Sequence, residues 1–268
     1  MKSAEKLIVI ISGKKQSGKD LVATMMAAHY INLFSNEKIV ASAWKSGEVN
    51  LHERNSSQYA GVVQLSYPKS DMVQIERYGV HVISFAEKLK QFCHEVLGLT
   101  QEQCWGSDKE KNAVSTLWWD NLPFQVRWKY RKNKWLPGLR SGLMTGREVL
   151  QVFGTELIRD WHNDAWVDAT FRAAMKSPAR VVFIPDCRFP NELGLREKAS
   201  ERVSIKTLRL RRTLGFDSHV SESALDHVPD HHFDSTFHKG MTLQDYEYYS
   251  RLTLNEWLTE AGMLPPGE

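Results

Sequence analysis

The apolar positions along the chain fall into two kinds of run. Short unbroken stretches rich in β-branched residues read as strands buried on both faces, and longer stretches with a 3.6-residue period read as helices. Residues 7–11 (Leu-Ile-Val-Ile-Ile) predict the first strand. A Gly- and Lys-rich turn follows at 12–19, and over 20–34 Leu21, Val22, Met25, Met26, His29 and Leu33 recur at helical spacing. Residues 80–85 predict a second strand, and 86–97 a helix that stops at Gly98. Residues 180–185 predict a third strand, ending at Asp186, and 202–210 a fourth. A last helix is expected over 243–260. Strands alternating with helices predict an α/β fold, a parallel β-sheet flanked by helices.

Two stretches break this pattern. Residues 35–79 are polar and mixed, with short strand-like pieces at 39–44 and 61–67, the second closed by Pro68. They predict a hairpin inserted into the fold. Residues 100–143 are rich in Trp, Lys and Arg without a clean period, and predict an irregular, partly helical excursion. Beyond it, Thr145-x-x-Glu148 is a capping box that opens a helix. At 100° per residue, Leu150, Phe153 and Leu157 share one face, and Arg147, Gln151 and Thr155 the opposite one. The first face is expected to pack and the second to be open to a ligand. No internal repeat or low-complexity tract divides the chain, so residues 1–268 are expected to form one domain.

Composition narrows the class. With 268 residues, 42% hydrophobic and 25% charged, the chain can bury a full core without staples. A net charge of +3 does not call for a nucleic-acid partner and suits a small anionic substrate. Cys93, Cys104 and Cys187 are far apart and form no Cys-x-x-Cys pair, which points to thiols in a reducing compartment. The apolar run near the N-terminus is too short for a signal peptide or a bilayer span, so a soluble, cytoplasmic protein is expected.

The turn at 12–19 carries the most specific chemistry. Gly13-Lys14-Lys15-Gln16-Ser17-Gly18-Lys19-Asp20 matches Gly-x-x-x-x-Gly-Lys between a strand and a helix. Glycines at these places let several backbone N–H groups point at one phosphate chain, and the helix start adds its positive end. Lys19 is expected to reach the β- and γ-phosphates of ATP. The Ser or Thr that usually follows this lysine, and holds Mg²⁺, is replaced by Asp20. Two roles stay open for Asp20: a carboxylate ligand to hydrated Mg²⁺, or a cap for the helix.

Four segments, in order, resemble the bacteriophage deoxynucleoside monophosphate kinases. They are residues 13–20 with the Gly-Lys-Asp ending; Ser84-Phe85-Ala86-Glu87-Lys88-Leu89-Lys90; Thr145-Gly146-Arg147-Glu148-x-Leu150-Gln151-x-x-Gly154-Thr155-Glu156 followed by Trp166; and Pro185-Asp186-Cys187-Arg188-Phe189-Pro190-Asn191-Glu192. Residues 106–111, 118–123 and His219-x-Ser221-Glu222 are similar to that family as well. The likeness covers about residues 6–240, with 35–79 as an insertion. It implies a nucleoside-monophosphate-kinase-like fold, ATP and Mg²⁺, and conversion of deoxynucleoside monophosphates to diphosphates.

Site residues follow from the motifs and this resemblance together. Lys19 is expected to stabilise the transferring phosphoryl group. Arg188, just past a strand end, lies where ligands bind in open α/β sheets and suits a bidentate phosphate clamp. Asp186 is expected to orient Arg188 or a Mg²⁺-bound water. Lys88, Arg147, Gln151, Gly154, Thr155, Trp166 and Glu192 are expected on the acceptor side, with Trp166 stacking on or bordering the base; a core role for Trp166 is the alternative. Glu222 is a further candidate on the same likeness.

Other readings remain at this stage. Residues 127–135 mix five cations with three aromatics, a pattern that can track a nucleic-acid backbone. In a kinase the same segment would be a lid over the phosphates. The third strand continues with Cys187 after Asp186, so the Asp-Glu pair of ATP-driven motors is absent. A P-loop kinase of another phosphorylated acceptor, such as phosphomevalonate, is a second alternative. His219, His227, His231, His232 and His238 match no compact zinc spacing. A homodimer is compatible with all of these readings.

Overall fold

The computed structural model describes residues 3–14, 16–35, 39–45, 48–53, 59–66, 68–131, 138–211 and 223–264. In chain order the elements are β1 (Lys6–Gly13), α1 (Lys19–Phe34), β2 (Ile39–Lys45), β3 (Glu48–Glu53), β4 (Tyr59–Gln64), α2 (Met72–Tyr78), β5 (Val80–Val82) and α3 (Phe85–Glu95). Then come α4 (Gln101–Trp105), α5 (Asp108–Lys111), β6 (Val114–Trp118), α6 (Phe124–Lys129), β7 (Leu143–Thr145) and α7 (Gly146–Gln151). A π-helical stretch (Val152–Leu157) leads into α8 (Ile158–Trp161) and α9 (Ala165–Lys176). The chain ends with β8 (Val181–Cys187), α10 (Pro190–Leu193), β9 (Val203–Leu210), β10 (Ser235–Phe237) and α11 (Leu243–Glu260). Contacts divide the protein into two compact units, Met1–Phe85 with Thr170–Glu268, and Ala86–Ala169.

The first unit is an α/β sandwich. Five parallel strands lie in the order β10-β9-β1-β8-β5. β1 is central, and Leu7 to Ile11 are fully buried, as an unbroken apolar run with neighbours on both sides requires. α1 packs into the same core as Val9, Ile11, Phe183 and the α11 residues Leu254 and Trp257. No helix among the described residues is long and apolar enough to cross a membrane.

The described residues of the 35–79 stretch differ from expectation. They form a three-stranded antiparallel sheet, β2-β3-β4, followed by α2, and not a two-stranded hairpin. The middle strand, Glu-Val-Asn-Leu-His-Glu, alternates polar and apolar residues, and buries Val49 and Leu51. That period-two signal was present but short. These residues join Ala41 and Val63 in the core that holds α1. Asn32 of α1 also grips β2 directly: its amide donates to Ala41 O at 2.8 Å and accepts from Ala41 N at 2.6 Å. An edge strand thereby gains the backbone partners it would otherwise lack.

Two further boundaries moved. The second strand stops at Val82, and Phe85 already belongs to α3. β10 was missed, because three residues carry no readable period.

The second unit is mostly helical around a two-stranded β6-β7 ribbon. Its core gathers Leu89, Cys93, Cys104, Trp119, Val126, Met144, Val149, Val152 and Trp166. The predicted capping box at Thr145 is formed: Glu148 N donates to Thr145 Oγ1 at 3.2 Å, and Thr145 N to Glu148 Oε2 at 2.9 Å. The helix it opens is not uniformly α-helical. From Val152 to Leu157 the turns widen to π, so the faces predicted at 100° per residue rotate. Val149, Val152, Gly154 and Glu156 become the buried positions, with Leu150, Phe153 and Leu157 only partly buried beside them.

Candidate active site

The phosphate loop is built by backbone geometry at the end of β1. Gln16 (φ 62°) and Gly18 (φ 94°) both adopt the left-handed conformation. Residues of that kind in a tight turn aim successive N–H groups into one hollow, which suits an anion. Gly13 has no room for a side chain, since a Cβ there would stand 2.6 Å from Ser17 Oγ and 3.1 Å from Leu210 O. Lys14 O accepts from Ser17 N at 3.1 Å and from Lys19 Nζ at 2.7 Å. Lys19 is buried, so its ammonium is held in the loop rather than in solvent. Ser17 Oγ is buried with no hydrogen-bond partner among the described residues. A buried hydroxyl without a partner costs about 1–3 kcal/mol, a cost that a bound phosphate oxygen would remove. Lys15 lies outside the described residues.

Asp20 stands exposed on the first turn of α1. The N-cap position is Gly18, and Asp20 is the acidic residue of the first turn, where its charge complements the positive end of the helix. Among the described residues no group of three His, Cys, Asp or Glu side chains could hold a metal ion by itself. That includes His227, His231, His232 and His238; His219, Ser221 and Glu222 lie outside the described residues.

Beside the loop is a cavity of about 330 Å³. Gly13, Lys14, Arg188, Arg209, Arg211 and Asp226 are among its lining residues. Four cations and one carboxylate are among the lining residues, and Asp230 pairs with Arg211 at 2.6 Å and with Arg209 at 3.5 Å, which leaves a net positive excess suited to an anion. Lys14 Nζ pairs with Asp226 Oδ2 at 2.9 Å, both half exposed. Arg209 is buried at 5% exposure. Its guanidinium donates to Val228 O, and to Leu225 O at 2.9 Å, and lies 4.9 Å over the Phe233 ring. Burial draws its pKa down, aided by Arg211 and opposed by Asp230 and Asp226. Arg209 thus holds the 225–233 segment against β9. Sequence reading missed Arg209, Arg211 and Asp226. The strand-end rule that selected Arg188 applies equally to the end of β9 and would have found both arginines.

Arg188 follows β8, and its backbone is fixed from below. Glu192 Oε2 accepts from Arg188 N at 2.6 Å and from Phe189 N at 3.0 Å. Glu192 is 2% exposed, so its carboxylate positions the turn that carries Arg188. Asp186 Oδ1 accepts from Phe85 N at 2.8 Å and so anchors the start of α3.

In the second unit, Arg147, Gln151, Gly154 and Thr155 lie along α7 and the π-helical stretch. Arg147 Nη2 meets Asp108 Oδ1 at 2.6 Å and its Nε meets Asn112 Oδ1 at 3.2 Å. Lys88 Nζ donates to Gln91 Oε1 at 2.8 Å within α3. Two contacts from elsewhere in the sequence meet at the π turn. A Cβ at Gly154 would stand 2.6 Å from Leu89 Cδ2, and the Trp166 indole donates to Gly154 O at 3.1 Å. At 8% exposure within the core, Trp166 holds the π turn in place, which is the packing alternative for this residue. The turn also brings Glu156 inward, to 7% exposure. Its carboxylate pairs with Lys129 Nζ and accepts from Tyr130 Oη at 3.3 Å. Burial, then Glu156, pushes the Tyr130 phenol far above its usual range.

The basic-aromatic stretch therefore spends its described cations internally. Arg127 pairs with Asp120 at 2.8 Å, Lys129 with Glu156, and Arg131 lies 4.1 Å over the Trp128 ring. Residues 132–137 lie outside the described residues. Paired cations add little to attraction for a nucleic-acid backbone.

No protein-family model matches the chain. It is similar to a protein of Acanthamoeba polyphaga mimivirus named "Putative deoxynucleotide monophosphate kinase". The two are 26% identical over 192 residues, which cover 66% of this chain and 83% of the mimivirus protein.

Proposed function

We propose that this protein transfers a phosphoryl group from ATP to a deoxynucleoside 5′-monophosphate, giving the diphosphate. The observation that carries the reading is the phosphate loop, where a left-handed backbone, a buried lysine and a serine hydroxyl with no partner among the described residues converge at the start of α1. The name of the similar mimivirus protein supports a nucleotide as the acceptor.

The chemistry asks for positioning and charge neutralisation. A phosphate monoester has a second pKa of about 6, so the attacking oxygen is already largely ionised at neutral pH. No general base is required. Lys19 neutralises charge on the transferring group, and the loop N–H groups with Ser17 hold the donor phosphates. Arg188 and the cations of the adjoining cavity add positive field in the same unit. Arg147 and Gln151 of the second unit are assigned to the acceptor.

Mg²⁺ bound with ATP would supply positive charge at the donor phosphates. The residues fit such an ion as a partner of the phosphates rather than as a metal caged by protein. Asp20 is the carboxylate suited to receive it, directly or through water.

The test is conversion of dGMP, dTMP, dCMP, dAMP and the matching ribonucleotides to diphosphates with ATP and Mg²⁺. Turnover of one or more deoxynucleotides is expected. Folded protein that binds ATP and phosphorylates none of them would overturn the reading. Phosphomevalonate and single-stranded DNA would then be the next ligands to titrate.

A further inference from the structure

Residues 106–112 have no part in the reading above, yet they build a cradle for Arg147. The cradle begins at Gly106, where no side chain fits: a Cβ would stand 2.4 Å from Glu102 O and 2.5 Å from Glu110 Oε2. The chain turns there into Ser107, which forms a closed capping box with Glu110. Ser107 N donates to Glu110 Oε2 at 2.6 Å, and Glu110 N to Ser107 Oγ at 3.3 Å. The box fixes α5, although α5 is only four residues long. Asp108 and Asn112 are four residues apart and therefore share a face. The α7 side is held equally closely. Gly146 N donates to Ala113 O at 3.0 Å, and a Cβ at Gly146 would stand 2.9 Å from Gln103 Cβ.

A guanidinium is planar and offers two forks of donors. Nε and Nη2 make the side fork, and Nη1 with Nη2 the end fork. Asn112 and Asp108 together take the side fork of Arg147. Nη1 has no partner among the described residues. With one edge gripped at two points, the plane of the group is set, and the side chain remains 31% exposed. Two parallel N–H donors match two oxygens of a phosphate. Asn112 adds orientation without a second negative charge. Stability is a poor explanation for the arrangement, since ion pairs this exposed (Arg147 31%, Asp108 65%) contribute little.

We infer that Asp108 and Asn112 are positioning residues for Arg147, whose end fork takes the phosphate of the acceptor nucleotide. This rests on the kinase reading for the identity of the acceptor, and on the cradle alone for the anion site.

The experiment uses the full-length protein and the variants Asp108→Ala, Asn112→Ala, Arg147→Ala, Arg147→Lys and the double variant Asp108→Ala/Arg147→Ala. KM and calorimetric Kd are measured for the best deoxynucleotide, with Kd for ATP and Tm alongside. Asp108→Ala and Asn112→Ala are each expected to weaken the acceptor about tenfold through misorientation, with ATP affinity and Tm unchanged. Arg147→Lys should fail to rescue, because an ammonium has no fork. The double variant should be no worse than Arg147→Ala alone. The inference is overturned if Asp108→Ala and Asn112→Ala match wild type while Arg147→Ala does not. It is equally overturned if the Asp108 effect persists without Arg147, or if ATP affinity and Tm fall in parallel. A wild type that phosphorylates no nucleotide would end the kinase reading separately. Titration with inorganic phosphate then decides the anion site: weakening by both Asp108→Ala and Arg147→Ala sustains it, and unchanged binding ends it.

Discussion

The two units hold their candidate ligand groups in opposite ways. In the first, the phosphate loop is made by backbone: two left-handed residues, a glycine with no space for a Cβ, and a helix start. In the second, the candidate groups are side chains that grip one another: Arg147 of α7 is held by Asp108 and Asn112, and Lys129 of α6 by the buried Glu156. A backbone site depends on a few residues adjacent in sequence. A side-chain site depends on partners 27 to 39 positions away. The first should fail sharply when one residue changes, and the second by degrees.

The largest effect is therefore expected at Lys19. Lys19→Ala should fold and lose about a hundred- to thousandfold in turnover, as removal of a group that stabilises transition-state charge does elsewhere. Steady-state kinetics beside a thermal melt would check it, and near wild-type turnover would remove Lys19 from the mechanism. Gly13→Ala comes next. Its methyl must displace Ser17 Oγ or the Leu210 backbone, about 1–3 kcal/mol of strain that should appear as lost ATP affinity by calorimetry. Unchanged affinity would mean that the loop adapts and that backbone shape matters less than the comparison holds.

At the buried contacts of the second unit, away from Arg147, the expected effects are on stability. Lys129→Ala leaves the buried Glu156 carboxylate short of its cation and should cost about 1–3 kcal/mol in denaturant unfolding. Glu156→Gln should cost less, because the exposed Lys129 is rehydrated. The reverse order would place the burden on the lysine instead. Trp166→Phe removes the donor to Gly154 O and should cost about 1 kcal/mol while leaving base preference unchanged. Altered base preference would restore the stacking role. The smallest effect is a null one. Burial, with Cys104 nearby, pushes the Cys93 thiol up to about 12, so it should resist alkylation at pH 8 until the protein unfolds.

The same contrast governs what could be read in advance. The phosphate loop, β1, β8, β9 and α11 were legible because each is written in contiguous residues: a glycine spacing, an apolar run, a helical period. Arg188 was legible from its place after a strand. The π turn was not, because its causes are Leu89 and Trp166, which no local period relates to Gly154. The burial of Glu192 beneath Arg188 was hidden by the identity of the residue, since a glutamate reads as exposed until its backbone partners are known. The cradle around Arg147 lay in a segment noticed only by likeness, and its meaning came from the contact between α5 and α7.

We propose that the loop at 13–20 holds the donor phosphates and that Arg147 holds the acceptor phosphate. Calorimetric titration of Lys19→Ala and Arg147→Ala with ATP and with the preferred deoxynucleoside monophosphate tests it most directly. Lys19→Ala is expected to lose affinity for ATP and keep the monophosphate, and Arg147→Ala to do the reverse. Loss of both ligands in either variant, or of ATP in Arg147→Ala, would contradict it.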